Sequence, residues 1–124
     1  IGLLHVVGVN GAKNVHDPFI QKHALPGSGQ PKLSELAECC ERTGLAIRDV
    51  ENMVRHYEPT ARGWLKRFRE NKGRLDQAKY DARFQRMWEY YLSCAAAGAR
   101  ASDSTLYQLL FMRDYAAPMP LHRV

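Results

Sequence analysis

A histidine and a tyrosine, far apart in the sequence, carry the side chains best suited to binding chemistry. His5 lies near the end of the apolar run Gly2–Val9, which precedes a long irregular connection. Ligands of open α/β sheets bind beyond the carboxyl ends of the strands, and a histidine near such an end can point toward the site. Tyr57 ends a mixed apolar and charged segment just before Pro59. Its hydroxyl can donate a hydrogen bond to an anion without adding net charge.

Both residues also have an ordinary structural interpretation. His5 can be a core histidine that makes one hydrogen bond, and Tyr57 can pack its ring and leave its hydroxyl in water. The residues alone leave both interpretations open.

A stripe of large side chains follows at helical spacing in the second half of the chain. Its members are Tyr80, Phe84, Met87, Trp88 and Tyr91. The recurrence at i, i+3 and i+4 predicts an amphipathic helix. Such a stripe is typical of a core face, but the aromatic rings and the adaptable methionine would also suit the wall of an acyl-chain site.

The three cysteines predict neither a disulfide framework nor a metal site. Cys39 and Cys40 are adjacent, and Cys94 is far away, so no ligand spacing is present. Neighbouring residues of a helix point about 100° apart, so one cysteine of the pair should face the core. Unpaired thiols indicate a reducing compartment, and we expect a cytoplasmic protein.

The net charge of +5 comes largely from basic residues between Arg62 and Arg86. These residues can form a solvated helix face, attract anionic phospholipid or attract nucleic acid. No nucleic-acid motif accompanies the charge, so lipid is the favoured partner and association with a membrane surface stays open. No apolar run approaches the ~20 residues that span a bilayer, and no signal-peptide pattern is present.

The order of predicted elements indicates an α/β fold in a single domain, residues 1–124. Strands are predicted at Gly2–Val9, Leu45–Tyr57 and Thr105–Met112. A helix follows Leu33 and stops at Gly44, and two helices separate the last two strands. Residues 10–31 form a long irregular connection of the kind that is often functional, and residues 116–124 form a loose tail. This order fits half of an open α/β sheet.

Two of the predicted strands are apolar enough to be buried on both faces. They are Leu3–Val9 and Leu106–Met112, and the first resembles a strand of a parallel sheet. Too few strands are present to cover both, so an unpaired edge predicts a homo-oligomer, most simply a two-fold dimer.

Four blocks in order resemble the C-terminal part of cyclopropane-fatty-acyl-phospholipid synthases, including the mycolic acid cyclopropane synthases. Leu4–Gly8 corresponds to the family's Leu-His-Thr-Ile-Gly, and Asp17–Lys22 to a second conserved block. His56–Phe68 and Arg83–Leu92 supply the third and fourth. No block is a strict signature, but their order and spacing are fairly specific.

This resemblance implies a methyltransferase sheet with inserted helices that cover a lipid. In the family, S-adenosylmethionine gives a methyl group to a cis double bond, and a bound bicarbonate is thought to take the proton that leaves before the ring closes. By resemblance, His5, Val7 and Tyr57 occupy positions that contact the bicarbonate. The acyl-binding residues implied by the inserted helices are Trp64, Phe68, Phe84, Trp88 and Tyr91. Neutral donors around an anion in a dry pocket can stabilise a passing carbocation.

Several departures from the family pattern accompany this resemblance. Phe19 and His23 stand where the family usually has Trp and Tyr, and none of the three cysteines occupies the position of the catalytic cysteine. The family's glycine-rich cofactor turn, its ribose-binding acid and its Glu and Cys ligands lie upstream of Ile1. The chain alone is therefore expected to bind no S-adenosylmethionine.

Two hypotheses follow for the function. In the first, the chain is the C-terminal, acyl-covering lobe of a lipid methyltransferase and does not catalyse alone. In the second, it is a free-standing small α/β binding or interaction module, dimeric and without enzymatic activity.

Overall fold

The centre of the fold is a three-stranded sheet in which the last strand lies in the middle. The computed structural model describes residues 1–11, 17–101, 103–114, 116 and 118. The strands are β1 (Gly2–Val9), β2 (Ala46–Asn52) and β3 (Ser104–Met112), in the order β1-β3-β2. Both outer strands pair antiparallel with β3, so β1 and β2 run in the same direction. The α/β class and the predicted strand near residues 105–112 are thus confirmed.

Three helices and two short turns complete the described part of the chain. The helices are α1 (Leu33–Arg42), α2 (Val54–Asn71) and α3 (Ala82–Ala101). A π-helical turn spans Ile20–Ala24, and a 3₁₀ turn at Lys72–Arg74 separates α2 from α3. Helices α2 and α3 pack against each other and against β3, whereas α1 packs against β2.

Helix α1 has clear start and stop signals. The Glu35 carboxylate accepts a hydrogen bond from the Lys32 backbone N–H at 2.7 Å, which satisfies a group at the helix start. After the helix, Gly44 adopts a φ of 68°, the left-handed conformation that favours glycine at a helix end. Cys40 is buried and Cys39 is exposed, so the prediction that one cysteine of the pair faces the core is confirmed.

The core lies between β3 and the helices α2 and α3. Leu109 and Thr105 on β3 are 1% and 0% exposed. The other buried apolar side chains are Cys40, Val54, Ala61, Leu92, Ala96, Ala99, Leu106, Tyr107 and Met112.

Strand β1 differs from its predicted environment. It forms an edge of the sheet and pairs antiparallel rather than parallel. Leu3 is 60% exposed, so the prediction of burial on both faces is wrong for β1 within this chain and right only for β3. The apolar run resembles that of an interior strand because the sequence carries no sign of which neighbours are present.

The prediction of a strand from Leu45 to Tyr57 is wrong in its second half. Strand β2 ends at Asn52 and α2 begins at Val54, so Tyr57 lies in the first turn of a helix. The Asn52 side chain accepts the Val54 N–H at 3.1 Å and starts the helix. Pro59 lies in the second turn of α2, where it cannot donate the hydrogen bond that other residues give to the carbonyl four positions earlier.

A shared carboxylate ties α2 to α3. One oxygen of Glu89 on α3 lies 3.4 Å from Arg69 Nε and 3.3 Å from Lys72 Nζ. The glutamate side chain is only 25% exposed, so these contacts are less screened than ordinary surface ion pairs. They fix the 3₁₀ turn against α3.

The predicted loose tail, residues 116–124, lies outside the described residues except for 116 and 118. Of the helices described, none combines the length and apolar character needed to cross a bilayer.

Candidate functional site

A cavity of about 390 Å³ lies where β1, α2 and α3 meet the segment of residues 17–30. Its lining is mainly apolar with a few polar groups, and its volume is in the range of small-molecule sites. The lining residues are Val6, Val7, Asp17, Ile20, Gln21, Leu25, Ser28, Gly29, Gln30, Tyr57, Tyr91, Cys94, Ala95 and Ser104. The irregular connection that the sequence marks as functional therefore forms one side of this cavity.

Local hydrogen bonds fold this connection against the sheet and α3. The Asp17 carboxylate accepts the backbone N–H groups of Phe19 and Ile20 at 2.8 and 3.0 Å. The Leu25 N–H donates to the Ile20 carbonyl at 2.9 Å, which closes the π-helical turn, and the Ser28 N–H donates to the Leu25 carbonyl at 3.1 Å. These bonds hold Ile20 and Leu25 in the cavity wall.

Two tyrosines from different helices meet at the cavity. Tyr57 comes from the first turn of α2 and Tyr91 from the middle of α3. Burial raises the pKa of the Tyr57 hydroxyl, and the neighbouring Tyr91 raises it further. Burial also raises the pKa of Tyr91. Both hydroxyls therefore stay protonated at neutral pH and can act as hydrogen-bond donors in this partly dry site.

The three predicted anion-contact positions do not all meet at the cavity. Val7 and Tyr57 line it, whereas His5 is not among the described residues that do. His5 is exposed on β1, and its Nδ1 lies 3.2 Å from the side-chain nitrogen of Gln108 on β3. His5 and Val7 are two residues apart on one strand, so their side chains project from the same face. A role of these residues in holding an anion stays a prediction.

Of the five predicted acyl-binding residues, Tyr91 lines the cavity and the other four do not. Phe84 stacks on Trp88 at 5.9 Å between ring centroids, and Trp88 contacts Tyr91 at 5.0 Å. Trp64 meets the ring of Tyr57 edge-on at 6.0 Å and is itself 40% exposed. Trp88 therefore packs against Tyr91 of the cavity wall, and Phe84 packs against Trp88.

Phe68 and Tyr80 are the remaining members of the predicted aromatic set. Phe68 is half-buried on α2. Tyr80 precedes α3 rather than lying on it, and its ring contacts Phe84 at 5.1 Å. Acyl binding by this set stays a prediction.

Cys94 is a cavity residue that the sequence analysis missed. It follows Tyr91 by three positions on α3, so the two side chains share a helix face and both line the cavity. Cys94 also forms a hydrogen bond with Tyr90, which raises the pKa of the Tyr90 hydroxyl. The helical spacing from Tyr91 was the signal that could have found it.

The described residues give no ligand set for a metal ion. No three His, Cys, Asp or Glu side chains come together among them. The single carboxylate of the cavity lining, Asp17, is already engaged by two backbone N–H groups.

The sequence model of the family described as mycolic acid cyclopropane synthetase matches residues 2–109. The chain belongs to this family. The match covers the strands and the helices that form the cavity, from β1 through most of β3. The resemblance that the four sequence blocks indicate is thereby confirmed.

Two relatives of this cyclopropane synthetase-family chain are much longer than the chain itself. Tuberculostearic acid methyltransferase UfaA1 of Mycobacterium tuberculosis is 34% identical over 97 residues, which are 77% of this chain and 23% of the relative. Cyclopropane-fatty-acyl-phospholipid synthase of Escherichia coli is 32% identical over 113 residues, which are 91% of this chain and 29% of the relative. The chain therefore spans about a quarter of the length of these relatives.

A solved structure supports the fold of this family member. The crystal structure of mycolic acid cyclopropane synthase CmaA1 complexed with SAH and CTAB matches with a TM-score of 0.78 and 22% identity. The match covers 88% of this chain and 42% of that one. The predicted partial methyltransferase-like sheet with inserted helices is thus confirmed.

Proposed function

We propose that this chain is the acyl-covering lobe of a lipid methyltransferase of the cyclopropane synthetase family and does not catalyse alone. The observation that carries the proposal is the cavity of about 390 Å³, whose wall combines apolar side chains with Tyr57 and Tyr91. Its family relatives include a methyltransferase named for tuberculostearic acid and a synthase named for fatty-acyl phospholipids.

In this proposal the apolar wall holds the unsaturated part of an acyl chain. Ile20, Leu25 and Ala95 exclude water from it, with the stack of Phe84 and Trp88 behind Tyr91. Exclusion of water matters because water would otherwise add to a cationic intermediate on the acyl chain.

Tyr57 and Tyr91 supply neutral donors at the point where the anion of the family would sit. Their raised pKa values keep both hydroxyls protonated, so they can hold an anion and leave it basic. His5 on β1 lies outside the cavity lining, so in this proposal the anion contacts come from the two tyrosines. The Nδ1 atom of His5 instead lies 3.2 Å from the side-chain nitrogen of Gln108 on β3.

S-adenosylmethionine, when bound, supplies the methyl group of the family reaction. The cavity lining of this chain offers one engaged carboxylate and no glycine-rich turn between a strand and a helix, so its residues do not fit the cofactor. We assign that site to residues outside this chain. Calorimetric titration of the isolated chain should give no binding at micromolar cofactor, and clear micromolar binding would overturn this assignment.

A chimaera tests the lobe assignment directly. Residues 2–109 would replace the matching region of the Escherichia coli synthase in a strain that lacks its own enzyme, and cyclopropane fatty acids would be measured by mass spectrometry. We expect activity in the chimaera. In that background Tyr57→Phe removes a hydrogen bond to a charged group, worth about 1.5–3 kcal/mol, so the rate should fall roughly ten- to a hundredfold.

Tyr80→Phe is the matched control, because Tyr80 lies outside the cavity lining. It should leave the rate within about twofold. A folded chimaera in which Tyr57→Phe is as active as Tyr80→Phe would contradict the anion role of Tyr57. A folded chimaera that makes no product would contradict the lobe assignment itself.

In the described part of the chain no strand pairs with the outer edge of β1, which favours a second candidate, a free-standing dimeric module. Leu3 and Leu4 are 60% and 37% exposed on this edge, and an unpaired apolar edge is suited to pairing with another strand. In the lobe hypothesis the rest of the enzyme covers this edge, whereas in the module hypothesis a second copy does. Light scattering of the isolated chain separates them: a dimer that dissociates after Leu3→Lys favours the module, and a monomer refutes it.

A further inference from the structure

A second concave site, which we call the arginine groove, lies beside the cavity and is not explained by it. It has a volume of about 260 Å³ and is lined by Phe19, His23, Arg83, Arg86, Met87 and Tyr90. None of these residues lines the cavity. The π-helical turn separates the two, because Ile20 faces the cavity whereas Phe19 and His23 face the arginine groove.

The arginine groove carries the positive charges of two arginines. Arg83 and Arg86 are three positions apart at the start of α3, so they share one helix face. Both are exposed, and neither takes part in the ion pairs found between described residues. By contrast, Arg69 and Lys72 both contact Glu89. Two guanidinium groups on one concave surface form a site for an oxyanion, above all a phosphate.

Exposed aromatic rings form the other side of the arginine groove. Phe19 contacts His23 at 4.9 Å and meets Tyr90 edge-on at 5.0 Å between ring centroids. Phe19 is 40% exposed and Tyr90 is 47% exposed. Aromatic residues exposed together beside arginines are typical of the membrane–water interface, where rings lie at headgroup level and cations meet lipid phosphates.

We propose that the arginine groove binds the phosphate of an anionic glycerophospholipid at a bilayer surface. Arg83 and Arg86 contact the phosphate oxygens, and Phe19 and Tyr90 enter the interfacial layer. This inference rests on the proposed function, since it gives the acyl-covering lobe a place to hold the headgroup next to its acyl cavity. Charge complementarity selects an anionic lipid over a zwitterionic one.

Vesicle binding tests the proposal on the chain as it exists. Sedimentation with vesicles of phosphatidylglycerol, at physiological salt, gives the apparent affinity. Each arginine near a charged surface contributes roughly fivefold, so the double variant Arg83→Gln/Arg86→Gln should bind about 30-fold more weakly. Vesicles of phosphatidylcholine alone should bind the wild-type chain poorly.

A matched control removes the same charge from other faces. Arg42→Gln/Arg100→Gln alters two exposed arginines that lie outside the arginine groove, and it should lose no more than about threefold. If it loses as much as the groove variant, binding follows net charge and the proposal is wrong. Absence of wild-type binding to phosphatidylglycerol also overturns it.

Two further measurements separate the other outcomes. Phe19→Ser should weaken vesicle binding without changing charge, whereas unaltered binding would contradict an interfacial role for the ring. Soluble glycerol phosphate at millimolar concentration should compete only weakly. Tight binding of glycerol phosphate together with no vesicle binding would identify a free phosphate as the ligand and overturn the lipid assignment. These results do not depend on activity of the chimaera, so the two proposals can fail separately.

Discussion

Gly8 on β1 provides a stringent test of how the sheet positions the cavity. A Cβ atom at this position would lie 2.5 Å from the carbonyl oxygen of Pro31 and 2.9 Å from Thr105 Oγ1. Ordinary contact begins at 3.4 Å, so Gly8→Ala must displace the Pro31 carbonyl by about 0.9 Å. That carbonyl accepts the Val9 N–H at 3.3 Å, and the neighbouring Gln30 lines the cavity. The added methyl group should therefore disturb both stability and the site.

The expected loss can be worked from two contributions. Overpacking a close contact costs about 1–3 kcal/mol, and loss of the Val9–Pro31 hydrogen bond costs about 1 kcal/mol more. The free energy of unfolding should therefore fall by roughly 2–4 kcal/mol. With a urea m-value of about 2 kcal/mol/M, the unfolding midpoint monitored by circular dichroism should fall by about 1–2 M.

Gly29→Ala is the control, since Gly29 lies in the same connection and also lines the cavity. No atom lies within 4 Å of a Cβ built there, and its φ is not left-handed. It should leave stability unchanged or raise it by about 0.4–1 kcal/mol. In the active chimaera, Gly8→Ala should also lower the rate, because displacements near 1 Å cost about a hundredfold. Equal urea midpoints for the two variants would refute the reasoning.

Three further outcomes follow from the same structure. The folded-state pKa values of Tyr57 and Tyr91 are raised, so their contribution to stability is complete below pH ~10 and is lost as the pH rises further. Tyr57→Phe should reduce this loss, measured as the free energy of unfolding from pH 9 to 11.5. Glu89→Gln should cost about 1 kcal/mol at low salt and less at 1 M salt, since it weakens two cationic contacts. Leu109 is 1% exposed, so Leu109→Ala should lower the free energy of unfolding in urea by about 2–5 kcal/mol. Leu3→Ala should change it by under ~0.5 kcal/mol, because Leu3 is exposed. A large effect at Leu3 would mean that β1 is covered in solution.

The elements with strong local signals were predictable from the sequence. Helix α1 has an acidic side chain in its first turn and Gly44 at its end, and the stripe from Phe84 to Tyr91 repeats with the helical period. The boundary between β2 and α2 was not predictable in this way. Val50 and Val54 are both β-branched, and only the side chain of Asn52 marks the change from strand to helix.

The candidate site was predictable only in part, because it is assembled across the chain. Tyr57 was identified, but as a strand residue; the structure brings it to Tyr91 through the packing of α2 on α3. The π-helical turn that supplies Ile20 and Leu25 has no common sequence signal, and it depends on the Asp17 carboxylate. The arginine groove arises where that turn meets α3, so its two halves are far apart in sequence.

The position of β3 in the sheet has a consequence for the order of folding. Strands β1 and β2 pair only with β3, and His5 lies opposite Gln108, so no strand pair of the described sheet can form until the last of these elements has been synthesised. Contacts between such distant residues make folding slow, because the entropy of closing a long loop is lost before the strand contacts form and stabilise the chain. During translation the α2–α3 pair can form first, whereas β1 stays unpaired with β3 until β3 has been synthesised. A nascent chain that ends before Ser104 should therefore contain none of the strand pairs described here.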